Sequence, residues 1–185
     1  MSDGGEEDMC TVLAQADCLV DEAAVQAAYD DLARQVSTAY AKLNPVVLLI
    51  MTGGLVVGVE LMRRLRFPLQ VDYLHATRYR DRTRGADVEW KRRPERSLTG
   101  RHVLVVDDII DEGGTLAEVC RELEALQPQS LRVAVLADKR HGRRVAGAHA
   151  DFVGVQIPDR YVFGCGLDYH GYWRQLPAIY AVKGL

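Results

Sequence analysis

Residues 102–115, HVLVVDDIIDEGGT, decide the fold of this chain. Within them Val103–Val106 is a continuous aliphatic run, which is typical of a strand buried on both faces of a parallel sheet. Two carboxylates, Asp107 and Asp108, follow at the carboxyl end of this strand, where open α/β sheets bind their ligands. A glycine-containing loop comes next, and apolar residues then recur at helical spacing. We therefore predict a helix that begins near Thr115.

The loop at Asp111–Thr115 suits an anion. Its backbone N–H groups and the N-terminus of the following helix can point at a phosphate, and Gly113 and Gly114 let the backbone approach without a Cβ. The lysine and spacing of a P-loop are missing, and so is the G-x-G-x-x-G pattern of dinucleotide sites. Carboxylates just before the loop would repel a bare phosphate, but they are useful if they hold Mg²⁺ or the hydroxyls of an attached sugar.

The segment VLVVDDIIDEGGT resembles the ribose-5-phosphate and pyrophosphate binding signature of type I phosphoribosyltransferases, and the chain from Pro45 onward is similar to their hypoxanthine-guanine branch. The resemblance implies an α/β fold: a central, mostly parallel β-sheet flanked by helices, with a small hood and a flexible β-hairpin lid. It implies Mg²⁺-dependent transfer of the 5-phosphoribosyl group from 5-phosphoribosyl 1-diphosphate to N9 of hypoxanthine or guanine, giving IMP or GMP and pyrophosphate in purine salvage. The family favours homodimers or homotetramers.

The same resemblance assigns roles at the sugar and phosphate end. The backbone of Glu112, Gly113, Gly114 and Thr115, with the Thr115 hydroxyl, would hold the 5′-phosphate, while Arg174 matches an arginine that contacts pyrophosphate. Asp107 and Asp108 would serve the ribose and Mg²⁺. Because side chains alternate along a strand, these two carboxylates should point to opposite faces, so one of them could act through water or hold the loop.

Asp111 matches the aspartate that handles the proton at N7 of the purine, and it is our candidate catalytic residue. An aspartate with an ordinary pKa of about 4 is a weak base at neutral pH. We therefore expect Asp111 to hold the N7 proton in a charged transition state rather than to remove it beforehand.

A second strand, turn and helix follow the same plan. Val46–Met51 is a buried run that stops at Thr52 and Gly53, and a helix is predicted from Leu55. The resemblance implies that this turn contacts pyrophosphate through its backbone, across a non-proline cis peptide between Met51 and Thr52. Many family members carry lysine where this chain has Thr52, so we expect a backbone role there. The alternative is a plain turn before a helix.

A predicted hairpin at about residues 76–96 is rich in arginine. Between Arg78 and Arg101 there are nine basic residues against four acidic ones. A basic arm could close over a polyanionic substrate and exclude water, whereas the alternatives are a solvated hairpin or an RNA-contacting patch. We favour the lid, because family members carry a flexible loop with a Ser-Tyr pair where this chain has Arg78 and Tyr79.

The resemblance also assigns the purine site. Lys139 matches a lysine that hydrogen-bonds the 6-oxo group, and a protonated amine prefers that carbonyl to the amine of adenine. Tyr161 would stack on the base, and Val162 would use its backbone on the ring edge. Asp168 would lie beside the base and reach Mg²⁺ directly or through water. From the residues alone, core packing explains Tyr161 and Val162 equally well, and His141 is expected to be structural.

Composition indicates one ordinary domain. The chain has 185 residues, of which 48% are hydrophobic and 26% charged, and its net charge of −3 argues against wholesale binding of nucleic acid or membrane. Four cysteines without a C-x-x-C pair indicate reduced thiols and the cytoplasm. We expect residues 1–8 to be disordered and residues 9–185 to form one domain, whose purine-binding hood comes mainly from residues 151–185.

Two other functions compete with this one. The first is a phosphoribosyltransferase for xanthine, adenine or orotate, against which Lys139 and the segment Tyr161–Asp168 favour a 6-oxopurine. The second is a regulatory phosphoribosyltransferase-like protein that binds RNA or nucleotides with little turnover, which the arginine-rich segment keeps open. A pure binder would not need Asp111, so we favour catalysis.

Overall fold

A computed structural model describes residues 8–78 and 88–184, with only the backbone described at Arg78. Four helices and nine strands lie within these ranges, and none of those helices is long and apolar enough to cross a membrane. In chain order they are α1 (Met9–Gln15), β1 (Asp17–Val20), α2 (Glu22–Tyr40), β2 (Val46–Ile50), α3 (Gly53–Met62), β3 (Gln70–Arg78), β4 (Val88–Arg92), β5 (His102–Ile110), α4 (Gly114–Glu124), β6 (Ser130–Arg140), β7 (Phe152–Pro158), β8 (Val162–Phe163) and β9 (Ile179–Ala181).

Six strands form the main sheet, in the order β4-β3-β2-β5-β6-β7. β2 is parallel to both β3 and β5, and the parallel pairing continues from β5 through β6 to β7. Only β4, at one edge, is antiparallel to its neighbour. The aliphatic runs explain this arrangement, since every residue of β2 is buried and Val103–Val106 is fully inaccessible. The predicted central, mostly parallel sheet is confirmed.

The two faces of β5 pack against different layers. Leu104 and Val106 belong to a core cluster that includes the buried faces of α2 and α3, whereas Val103 and Val105 belong to a cluster with α4. Helix α2 begins after Asp21, its N-cap, whose carboxylate accepts a hydrogen bond from the N–H of Ala24. The same alternation places the Cβ atoms of the next two residues, Asp107 and Asp108, on opposite faces of β5.

β5 extends further than its aliphatic run suggested. Its pairing with β2 ends at Val106, but its pairing with β6 continues to Ile110, opposite Asp138. The carboxylates of Asp107 and Asp108 therefore stand on a strand that projects past β2 and is supported on one side only. This step in the sheet edge creates the floor of a cavity.

The small sheet has the order β1-β9-β8 and is antiparallel. The hood was expected mainly from residues 151–185, and β8 and β9 fall in that range, but Phe152–Pro158 pairs in parallel with β6 and belongs to the main sheet. The small sheet instead takes β1, from residues Asp17–Val20, as its outer strand. Asp8, expected in a disordered tail, is the N-cap of α1; residues 1–7 lie outside the described part of the chain.

β3 and β4 form the predicted antiparallel hairpin, with Arg78 opposite Val88. Tyr79 and the rest of the connecting turn lie outside the described residues. The assignment of this hairpin as a lid stays a prediction.

Candidate active site

A cavity of about 630 Å³ lies at the carboxyl edge of β2, β5 and β6, under the segment that joins β8 to β9. Parallel sheets bind ligands at this edge because the loops after neighbouring strands meet there. Of the residues expected in the phosphoribosyl, pyrophosphate and purine sites, all except Thr52 line this cavity: Gly53, Asp107, Asp108, Asp111, Glu112, Gly113, Gly114, Thr115, Lys139, Tyr161, Val162, Asp168 and Arg174.

The loop before α4 has the geometry of an anion cradle. Gly113 is the N-cap of α4 at φ +78°, a left-handed conformation that favours glycine, and a Cβ there would lie 2.4 Å from the Cβ of Ala148. Glycine offers no capping side chain, so the first-turn N–H groups of α4 have no side-chain acceptor from the N-cap position. Gly114 and Thr115, from that turn, line the cavity. This arrangement suits a phosphate.

Strand alternation starts Asp107 and Asp108 on opposite faces of β5, but their carboxyl groups turn toward each other, since a side-chain hydrogen bond between the two contributes to the pKa of both. Asp108 continues the face of Val106 toward α3, where a Cβ on Gly53 would lie only 1.8 Å from its Oδ2. Asp107 continues the opposite face, toward α4. There burial is the largest cause that raises the pKa of the Cys120 thiol, and the charges of Glu124, Asp151 and Asp107 raise it further. Both aspartates nevertheless line the same cavity, since β5 is uncovered there.

Keeping both Asp107 and Asp108 ionised costs free energy. Burial raises the pKa of both, and the negative charge of Asp108 raises the pKa of Asp107 further, well above its usual range. Arg174 lowers both pKa values in part. A cation held between these carboxylates would stabilise the doubly ionised pair.

The donor set is compatible with Mg²⁺ shared with a substrate. Among the described residues, no group of three or more His, Cys, Asp or Glu side chains is arranged to hold a metal ion. Mg²⁺ commonly takes only one or two protein carboxylates and completes its octahedron with phosphate oxygens and water. Two adjacent, partly buried carboxylates with raised pKa values fit that mode of binding.

Arg174 joins the two sides of the cavity. One guanidinium nitrogen lies 2.5 Å from a carboxylate oxygen of Asp168, and another lies 3.7 Å from Asp108 and donates to the carbonyl of Gly166. Asp168 also accepts a hydrogen bond of 2.7 Å from the N–H of Gly171. Asp168 therefore has two partners, the guanidinium of Arg174 and the N–H of Gly171.

Asp111 lies between two donors. Its Oδ2 is 2.6 Å from the amine of Lys139, and its Oδ1 is 2.6 Å from Nε2 of His141. Burial opposes the charge of Asp111, but the hydrogen bonds from Lys139 and His141 outweigh it and hold its pKa below the ordinary value. The expectation that His141 is merely structural missed this contact with the candidate catalytic residue.

No sequence pattern indicated a role for Arg144, whose side chain joins the end of β5 to the end of β6. Its guanidinium donates to the backbone carbonyls of Ile110, Asp111 and Lys139 and to the carboxylate of Asp138. Nothing in the spacing of an arginine 33 residues after Asp111 indicates such a contact. It arises because β5 and β6 are neighbours and end side by side.

The opposite end of the cavity is aromatic. Tyr161 is 44% exposed, and its ring packs edge-to-face on Tyr169 with a centroid separation of 5.4 Å. Val162 is buried and pairs with Ala181 in the small sheet. One face of Tyr161 is therefore available to a flat ligand, while the side chain of Val162 packs in the core and leaves only its backbone near the ligand.

The turn after β2 contains the cis peptide bond expected between Met51 and Thr52. Thr52 is exposed, makes no side-chain cap and does not line the cavity, whereas Met51 and Gly53 do. Thr52, the position where many family members carry lysine, is therefore not among the residues that line the cavity.

Comparison with known proteins gives consistent matches. The family model for the phosphoribosyl transferase domain matches residues 15–170. The hypoxanthine-guanine-xanthine phosphoribosyltransferase of Tritrichomonas foetus is 32% identical over 86% of this chain and 87% of that protein, and the hypoxanthine-guanine phosphoribosyltransferase of Bacillus subtilis is 30% identical over 89% and 92%. A solved hypoxanthine phosphoribosyltransferase from Staphylococcus aureus superimposes with a TM-score of 0.87 at 28% identity, covering 96% of this chain and 97% of that one.

Proposed function

The chain belongs to the phosphoribosyltransferase family, in its hypoxanthine-guanine branch, and we propose that it transfers the 5-phosphoribosyl group from 5-phosphoribosyl 1-diphosphate to N9 of hypoxanthine or guanine in purine salvage. In this reaction N9 of the purine forms a bond to C1 of the ribose. The bond from C1 to pyrophosphate breaks, its electron pair leaves with pyrophosphate, and the purine loses a proton at N7. The observation that carries the proposal is one cavity that combines an anion cradle, two partly buried aspartates and a lysine–aspartate pair.

The 5′-phosphate binds the cradle before α4. Residues Glu112, Gly113, Gly114 and Thr115 supply it with backbone N–H groups and the Thr115 hydroxyl, and the positive end of the helix dipole favours the negative charge. Arg174 and the backbone at Thr52 and Gly53 serve the pyrophosphate, since a guanidinium fork matches phosphate oxygens. On substrate binding Arg174 would exchange part of its contact with Asp168 for the phosphate.

Asp107 and Asp108 hold the ribose and, with Asp168 directly or through water, Mg²⁺. When bound, Mg²⁺ supplies positive charge that stabilises the developing negative charge on the pyrophosphate. Its charge also offsets the burial of the aspartates, whose pKa values are raised without it. The sugar becomes oxocarbenium-like as its bond to pyrophosphate breaks, and the ionised carboxylates stabilise that positive charge.

The purine lies between Tyr161 and the end of β6. Tyr161 stacks on its face and the backbone of Val162 contacts its edge, while Lys139 donates to the 6-oxo group. The carboxylate of Asp111 holds the proton of N7. Because its pKa is lowered, Asp111 stays ionised at neutral pH and acts by stabilising the charged transition state rather than as a strong base.

The proposal also covers the lid, the oligomeric state and the compartment. Arg78 and Tyr79 belong to a lid that closes over the substrates, and the enzyme is a homodimer or homotetramer. Its compartment is the cytoplasm, in keeping with four cysteines that are all free thiols. Light scattering in solution tests the oligomeric state.

The test is turnover with hypoxanthine, guanine, xanthine, adenine and orotate, each with and without Mg²⁺, followed by pyrophosphate release. We expect turnover of the 6-oxopurines that requires Mg²⁺. Asp111→Asn should lower the rate by about 10²-fold or more, the usual contribution of a proton-handling group. If no pyrophosphate is released with any of these bases, the proposal is contradicted. RNA binding that survives Asp111→Asn would favour a regulatory protein instead.

A further inference from the structure

The two oxygens of the Asp111 carboxylate have different hydrogen-bond partners. Oδ2 is bonded to Lys139, whose amine lines the cavity and is the proposed donor to the 6-oxo group of the purine. Oδ1 is bonded to His141, whose side chain is only 3% exposed and does not line the cavity. One oxygen therefore faces the space where the base binds, and the other is anchored to a ring behind the site.

The hydrogen bonds assign the tautomer of His141. The backbone N–H of Arg143 donates to Nδ1 of the imidazole at 3.0 Å, so Nδ1 carries no proton. The remaining proton must then lie on Nε2, which donates it to Oδ1 of Asp111 at 2.6 Å. A turn of backbone two residues further along thus fixes the ring as a donor to the carboxylate.

The ring is held in this place by its neighbours. Just after it, Arg144 bonds the backbone carbonyls at the ends of both β5 and β6. The N–H of Val145 donates to the carbonyl of Glu112, inside the anion cradle. The segment that carries His141 is consequently tied to the loop that carries Asp111, and the two cannot move independently.

We propose that His141 is a positioning residue: its Nε2–H fixes the Oδ1 oxygen of Asp111 so that Oδ2 faces N7 of the purine. This inference rests on the proposed function. When a base binds, Lys139 is drawn toward the 6-oxo group and its hold on Asp111 weakens. His141 cannot reach the substrate and keeps its bond, so the carboxylate stays aimed while its other oxygen takes up the proton at N7.

A purely structural histidine is the competing explanation. A buried ring that only fills space would affect folding and stability, and any loss of rate would follow the loss of folded protein. A positioning residue instead lowers kcat in folded enzyme and changes KM for 5-phosphoribosyl 1-diphosphate little, because the phosphate cradle is formed by other residues.

The kinetic test compares His141→Ala, His141→Gln and the control His149→Ala, which removes an exposed histidine of the same segment. We expect His141→Ala to lower kcat by about 10- to 100-fold, as for one hydrogen bond to a charged group, with KM within about threefold. Glutamine places an N–H near the position of Nε2 and should recover most of the rate. Wild-type kcat in folded His141→Ala, or a glutamine variant no better than alanine, overturns the inference.

A spectroscopic test uses the wild-type protein and does not depend on the variants folding. Imidazole ¹⁵N shifts distinguish the two neutral tautomers, and His141 should carry its proton on Nε2, with a shift that changes in Asp111→Asn. Finding the proton on Nδ1 overturns the inference. If the wild type releases no pyrophosphate from 5-phosphoribosyl 1-diphosphate with any base, the proposed function fails. If the wild type is active and does not need His141, only this inference fails.

Discussion

Replacing Asp107 with asparagine should stabilise the protein while damaging its activity. Burial and the neighbouring charge of Asp108 raise the pKa of Asp107 well above its ordinary value, so ionising it in the folded state costs free energy. Each unit by which a pKa is raised corresponds to about 1.4 kcal/mol. Asparagine has the same shape, keeps the acceptor for the N–H of Asp108, and offers its amide to the Asp108 carboxylate.

The expected gain at pH 7 is about 1.5–3 kcal/mol in the free energy of unfolding, the usual contribution of a hydrogen bond to a charged group, here from the asparagine amide to the Asp108 carboxylate, and it raises Tm by about 3–12 °C for a domain of this size. Its pH dependence follows from the direction of the pKa shift. Below about pH 4, the pKa of an unfolded aspartate, Asp107 is protonated in both states and the variant gains nothing. As pH rises from there through the folded pKa, wild type loses stability and the gain of the variant grows to its full value.

Asp72→Asn is the control, for which we expect a loss of stability rather than a gain. Asp72 is 8% exposed, and although burial opposes its charge, hydrogen bonds from the N–H groups of Arg96, Tyr73 and Glu95 hold its pKa below the ordinary value. Its stabilisation is therefore present above about pH 4 and is lost as pH falls through the folded pKa. Asparagine should cost about 2 kcal/mol at pH 7, since one amide cannot accept all three bonds.

Both differences are measured by urea denaturation at pH 4 and pH 7, and turnover is measured on the same samples. The Asp107→Asn variant should lose activity even as it gains stability, a trade that is common where a site holds like charges together. An Asp107→Asn protein less stable than wild type at pH 7, or equally stabilised at both pH values, would refute the reasoning.

Three further changes test the geometry of the site. Gly53→Ala brings a Cβ to 1.8 Å from Oδ2 of Asp108, so the carboxylate must move; kcat/KM should fall about 10²-fold, whereas Gly142→Ala, with no atom within 4 Å, should leave it unchanged. Arg144→Lys keeps the charge but loses the fork that bonds three carbonyls, so urea unfolding should show a loss of about 2 kcal/mol. Lys139→Met should lower kcat/KM for hypoxanthine by about 10²-fold, and unchanged turnover would remove Lys139 from the purine site.

The elements of the main sheet could be predicted from the sequence because their signals are local. Val46–Ile50 and Val103–Val106 are runs with no polar interruption, and only strands buried on both faces tolerate them. The helix after Gly113 was likewise evident from the spacing of its apolar residues. Strand β1 was not, because its four residues are half exposed and gain their partner only from β9, at the other end of the chain.

The chemistry of the site divides in the same way. The order of the chain places Asp107, Asp108 and Asp111 beside the phosphate cradle, and strand alternation starts the first two on opposite faces of β5. Only the tertiary structure shows that their carboxyl groups turn toward each other. Their ionisation depends on how deeply they are buried and on which cations reach them. His141 and Arg144 contact the Asp111 loop only because β5 and β6 are adjacent and β6 continues to Arg140, two residues past Asp138, the partner of the last residue of β5. Covalent order determines the parts of a site, but hydrogen bonds and charge interactions act over a few ångströms of space, and only folding brings residues 30 positions apart to that distance.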